Sequence, residues 1–131
     1  MVWGPRSRNP WLGLVFDAVS AVLGTPLPPP GVPGPFALDD PDRLAGLFRA
    51  AGLAEVRVTE VPVPLRDGSF DRWWTRTAAL AGPLAQRLAA LPDDARREVR
   101  DRLREAVRPY ESADGLEFPG VTLLASGARP A

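Results

Sequence analysis

Residues 40–61 read DPDRLAGLFRAAGLAEVRVTEV, and this stretch decides the fold class. Asp40 and Pro41 supply an N-terminal cap and a first-turn proline for a helix. Leu44, Leu47, Phe48 and Ala51 recur at helical spacing and form a buried stripe. Gly52 stands where a left-handed C-terminal cap belongs, and Leu53 follows as its apolar contact. Glu55 to Val61 then reads as a strand, with Val56 and Val58 on one face. Val61, Val63 and Leu65 continue on the other face, which places a bulge or a strand end near Thr59 and Glu60. Pro62 and Pro64 argue against a central strand over 62–65. A helix turning tightly into a strand is the repeating unit of an α/β protein.

Working outward, Met1-Val2-Trp3 reads as the end of a strand, closed by Gly4-Pro5. It is short against a usual strand of about five or six residues. Asn9-Pro10 starts a helix carrying Leu12, Val15, Phe16, Val19, Val22 and Leu23, and Gly24 ends it. Residues 25–36, TPLPPPGVPGPF, form a stiff irregular connection. Asp67-Gly68 makes a turn, and Ser69 caps a helix with Phe70, Trp73, Trp74, Thr77 and Leu80. Gly82-Pro83 breaks it, and Leu84, Leu88 and Leu91 carry a second short helix. A third runs from Pro92-Asp93-Asp94 to about Pro109, with a narrow apolar line of Val99, Leu103, Val107 and Tyr110. Its pairs Asp93–Arg97 and Glu98–Arg102 stand at the favourable spacing, and it reads as a cover. After a turn at Asp114-Gly115, Val121 to Ala125 (VTLLA) reads as a strand buried on both faces.

The expectation is therefore one partial α/β domain over 1–131. Residues 1–24 give the strand end and a helix, 25–36 the proline-rich loop, and 37–66 the helix–strand unit. Residues 67–112 form a helical lid, and 113–131 the final strand and tail. About three strands make a poor sheet, and the first leaves an edge without a partner.

Composition narrows the chemistry. Cysteine and histidine are both absent. That excludes disulfides, thiolate catalysis, cysteine and histidine metal sites, and Ser-His-Asp catalysis within this chain. All 16 basic residues are arginine, which excludes a Schiff-base or phosphate-loop lysine. They balance 16 acidic residues, so no field favours nucleic acid or an anionic membrane. Pro5, Arg6 and Arg8 stand where a signal peptide has its apolar core, and no apolar run is long enough to span a membrane. A cytoplasmic protein without nucleic-acid or membrane partners is expected.

Trp3-Gly4-Pro5, followed by PGPFALDDPDRLAGLFRAAGLAEVRV at 33–58, resembles the C-terminal half of small-molecule class I S-adenosylmethionine-dependent methyltransferases. The match is carried by Pro35-Phe36, Asp40-Pro41, Leu44 to Phe48, Ala51-Gly52-Leu53 and Val56-Arg57-Val58. Phe70 to Trp74 with Gly82-Pro83-Leu84 resembles the helical lid that some members insert. Phe118-Pro119-Gly120-Val121 with Leu123-Leu124-Ala125 resembles the final strand. The resemblance implies a partial Rossmann-like sheet whose last strand is antiparallel. It also implies S-adenosylmethionine as cofactor and a small-molecule acceptor as substrate. The family's cofactor site needs a glycine-rich turn after one strand and an acidic residue ending the next. Neither is present here, since Gly31-x-x-Gly34 is embedded in prolines with no strand before it. The isolated chain is thus expected to bind no cofactor and no metal and to be inactive alone, as the substrate-side half of such an enzyme.

The resemblance places the acceptor near the first strand's end and the lid. Candidate pocket residues are Trp3, Arg6, Asn9, Trp11, Phe36 and Trp74, with Arg8 beside them. The plainer alternatives are core packing for the tryptophans, loop anchoring for Phe36, and a solvated loop with a helix cap for Arg6, Arg8 and Asn9. Trp73 and Trp74 cannot share one helix face, being about 100° apart, so one packs inward. Asp39, Asp40 and Asp42 are better read as helix N-terminal charges than as a metal cluster. Nothing positions Tyr110 or Glu117 for proton transfer, and no catalytic residue is assigned. Two other readings stay open. One is a non-catalytic module for a small hydrophobic ligand. The other is an assembly subunit whose first strand pairs with a second copy or with a cofactor-binding chain.

Overall fold

A computed structural model describes residues 1–29, 31–80 and 82–131, with the side chain of Leu80 left out. The loop expected at 25–36 is therefore described without Pro30, and the expected apolar position at Leu80 falls outside the described part. In chain order the elements are β1 (Val2–Trp3), α1 (Pro10–Leu23), α2 (Pro41–Ala50), β2 (Ala54–Pro62), β3 (Leu65–Asp67), α3 (Phe70–Leu80), α4 (Gly82–Ala90), α5 (Asp93–Ala106), β4 (Glu111–Ser112), β5 (Gly115–Phe118) and β6 (Val121–Ala128). The protein is α/β, with two small three-stranded antiparallel sheets among the described residues. The chain divides into two compact units. The first comprises Met1–Pro10, Pro33–Pro64 and Pro119–Ala131; the second comprises Trp11–Val32 and Leu65–Phe118.

The first unit is built on β6. Its sheet has the order β1-β6-β2, and β6 runs antiparallel to both neighbours. The last strand is thus central, and β1 and β2 are parallel to one another. The short first strand pairs with β6 through Val2↔Leu123 and Trp3↔Thr122, and stands at the sheet edge on its other side. Helix α2 packs on β2 and β6. Asp40 Oδ1 accepts from the Asp42 N–H at 2.9 Å, with Pro41 in the first turn. At the other end Gly52 has φ +84°, the Gly52 N–H donates to the Arg49 carbonyl, and the Leu53 N–H donates to the Phe48 carbonyl. That pair of bonds satisfies the last helical carbonyls and stops the helix before the strand. Leu53 and Phe48 close over Gly127 of β6, where an added Cβ would lie 3.0 Å from the Leu53 Cβ.

Several sequence expectations change here. The stripe of α2 is centred on Leu44, Ala45 and Phe48; Leu47 is 48% exposed, and Ala51 is exposed at the C-cap. Strand β2 runs without interruption through Thr59 and Glu60. Its irregularity lies between Ala54 and Arg57, where Glu55 takes φ +51°. Pro62 ends β2, an edge strand, where its missing N–H costs no ladder bond. β6 is not buried on both faces throughout, because Leu124 is 44% exposed.

The second unit contains α1 from Trp11 onward, helices α3, α4 and α5, and a sheet not anticipated from the sequence, in the order β3-β5-β4. Leu65, Arg66 and Asp67 stand opposite Phe118, Glu117 and Leu116, and β4 and β5 form a hairpin across Ala113–Asp114. Helix α1 buries Leu12, Val15, Phe16, Ala18 and Val19. Ser69 Oγ accepts from the Arg72 N–H at 3.2 Å, capping α3. Val99, Leu103 and Val107 have no exposed surface, so α5 is a core element along that line as well as a cover. Its side-chain pairs are Asp93–Arg96, Asp94–Arg97 and Glu98–Arg102; Asp93 thus pairs one residue earlier than expected.

One buried side chain ties the first unit together. Asn9 has no exposed surface. Its Oδ1 accepts from the Val121 N–H at 3.0 Å, and its Nδ2 donates to the Val121 carbonyl at 3.1 Å and the Pro5 carbonyl at 3.0 Å, with the Gly4 carbonyl at 3.3 Å. Removing it leaves a buried backbone N–H without that partner, so Asn9→Ala should cost about 2–4 kcal/mol. Asn9→Asp, which keeps the acceptor but turns an oxygen toward three carbonyls, should lose at least as much at neutral pH. Urea unfolding midpoints check both; a midpoint shift within error for Asn9→Asp would contradict this account of the bond.

Candidate functional site

The six residues singled out from the sequence fall in both units. Trp3, Arg6, Asn9 and Phe36 belong to the first unit, and Trp11 and Trp74 to the second. At the carboxyl end of β1, the chain turns at Gly4-Pro5 into a 3-10 turn at Arg6–Arg8 and then reaches Asn9. Carboxyl ends of sheet strands are where α/β proteins place ligands. Trp3, Arg6 and Phe36 are half-buried. Arg8 Nη1 donates to Glu60 Oε1 at 2.8 Å, both side chains being about half exposed, which makes a weak tie. The carboxamide of Asn9 is spent on backbone groups at both ends.

The glycine at this end of β1 is taken up by packing. A glycine-rich turn works by letting backbone approach a ligand. Gly4 is the glycine between β1 and α1, and an added Cβ there would lie 2.7 Å from Val121 Cγ1, so its lack of a side chain admits β6. No step is assigned through the cofactor on these residues.

In the second unit, the adjacent tryptophans separate as helix geometry requires. Trp73 is 1% exposed, with its ring centroid 5.7 Å from that of Phe70 and 5.0 Å from that of Phe118; Tyr110 lies 5.1 Å from Phe118. The guanidinium groups of Arg100 and Arg104 lie 5.3 and 5.1 Å from the Phe70 ring centre. Trp74 and Trp11 are half-buried.

The same unit holds an open cleft of about 490 Å³ that the sequence did not point to. It lies where β3 runs into α3 and where the β4–β5 turn approaches. Arg66, Asp67, Gly68, Arg72 and Arg76 line one part of it. Ser112, Asp114, Gly115, Leu116 and Glu117 line the other. Asp67 shares a sheet face with buried Leu116, and its side chain is only 10% exposed. Arg76 Nη2 approaches its Oδ2 at 2.5 Å as an ion pair, but that oxygen has no aligned hydrogen bond. Arg66 and Glu117, cross-strand partners on the opposite face, pair at 3.1 Å. Gly115, at φ +118°, is fixed by contact: an added Cβ would lie 2.3 Å from the Asp67 carbonyl oxygen. The only sequence signal for this cleft is the spacing of Arg72 and Arg76 on one helix face.

Among the described residues, no group of three or more His, Cys, Asp or Glu side chains could hold a metal, and no helix is long and apolar enough to cross a membrane. The chain matches no protein-family model and no curated protein.

The two tryptophans should respond differently to truncation. Trp73→Ala should cost about 3–5 kcal/mol, as for a fully buried aromatic, and Trp74→Ala less than half of that. Thermal unfolding of the two variants checks this; equal losses would contradict the packing.

Proposed function

We propose that this chain is the substrate-side and lid portion of a class I S-adenosylmethionine-dependent methyltransferase. In this reading the cofactor is bound by residues outside these 131, on the same polypeptide or on a partner. The observation that carries it is the first unit's sheet: a final strand antiparallel to two parallel neighbours, with the helix-rich stretch 65–118 between the second and the last strand. That is the order of elements the resemblance implies. The open edge of β1 supports the same reading, because further strands of a larger sheet could add there. So does Gly4, which serves packing rather than a ligand. The acceptor would be a small molecule meeting the carboxyl end of β1, with half-buried Trp3, Arg6 and Phe36 as the contacts to test first. No residue of this chain is assigned a bond-making role.

Calorimetry tests the division of labour. The isolated chain, titrated with S-adenosylmethionine, should give no saturable heat up to about millimolar concentration. The native assembly, isolated through a tag on this chain at its own gene, should bind at micromolar concentration. Binding by the isolated chain would overturn the placement of the cofactor site, and silence in both would overturn the methyltransferase reading.

A further inference from the structure

We propose that the cleft between β3, α3 and the β4–β5 turn binds a small zwitterion of the α-amino-acid type, its carboxylate on Arg72 and its ammonium on Asp114. Three arginines and three acidic residues line the cleft, so the lining is neutral and concentrates neither anions nor cations. Two of the arginines are already committed, Arg76 to Asp67 and Arg66 to Glu117. Arg72 and Asp114 remain, one of each sign, without an ionic partner among the described residues. A simple anion would satisfy only the first and a simple cation only the second. A ligand with both charges satisfies both and leaves the cleft neutral.

Local structure positions these two groups. Arg72 lies in the first turn of α3, fixed by its backbone bond to Ser69 Oγ. Its Nη1 lies 3.5 Å from where a Cβ on Gly68 would stand, so the guanidinium folds over the glycine at the cleft wall. Asp114 sits in the β4–β5 turn, its N–H donating to Ser112 Oγ at 3.2 Å. Deeper in the cleft, the nine-tenths-buried Asp67 is held by its ion pair with Arg76, which leaves the exposed Arg72 and Asp114 as the uncommitted charges. Planar guanidinium–carboxylate pairing supplies orientation as well as attraction. The volume, about 490 Å³, falls within the usual range for small-molecule sites. The inference does not rest on the methyltransferase reading, since it uses only the lining and charges of this cleft.

The test is amide chemical-shift mapping on the full chain, titrated to about 10 mM with each of the twenty common L-amino acids and with acetate, inorganic phosphate and ethylamine. At least one amino acid should shift the amides of Gly68, Arg72, Asp114 and Gly115 saturably, and the singly charged probes should bind at least about tenfold more weakly. Arg72→Gln and Asp114→Asn, both at exposed positions, should each weaken the amino acid about tenfold or more while leaving the thermal midpoint in place. Three outcomes would overturn the proposal: no amino acid moves these amides, both variants bind as the native chain does, or phosphate or acetate binds as tightly as any amino acid.

Discussion

The backbone of Val121 sets the terms for the first unit. β6 begins there, and its pairing with β1 has already ended at Trp3↔Thr122, so no strand residue of β1 stands opposite the polar backbone groups that Val121 turns to that side. The Asn9 side chain answers this by offering one acceptor and one donor to Val121, much as a neighbouring strand would. Gly4 adds its own N–H to the same carbonyl at 2.9 Å and has no Cβ to collide with the valine. The turn from β1 into α1 is therefore shaped by a strand more than a hundred residues later. Buried polar backbone must be paired, and this turn is the means.

Where the determinants are local, the sequence was readable. Asp40-Pro41 and Gly52-Leu53 bound α2 as the residues indicate, because a cap is made by neighbours in the chain. The Ser69 cap and the inward turn of one tryptophan at 73–74 follow from the same short-range geometry. The second sheet was not readable. Leu65–Asp67 and Gly115–Phe118 are three and four residues long and meet across some fifty residues of helix, too short for a period of two to register. The exposure of Leu124 was hidden for a related reason. A continuous apolar run shows that a strand is central without showing what covers each face. The bulge was misplaced because a glutamate, Glu55, takes the left-handed conformation there, a place ordinarily left to glycine or asparagine.

The same distinction applies to function. Of the residues that the resemblance singled out, Trp3, Arg6 and Asn9 lie at the end of β1, and Asn9 is fully engaged in holding the sheet. The arginine-lined cleft is assembled from two separate stretches of the chain, 66–76 and 112–117, and only pairing in space shows which charges cancel. Sheet order speaks for architecture, and residual charge speaks for ligand chemistry.

We propose that these residues serve a methyl-transfer site whose cofactor is held by polypeptide outside them. Photo-crosslinking of S-adenosylmethionine to the native assembly, followed by peptide mapping, tests it most directly. Label is expected on a glycine-rich segment beyond these 131 residues, in the same particle as this chain. Label within the 131 residues, or no labelled polypeptide associated with them, would contradict it.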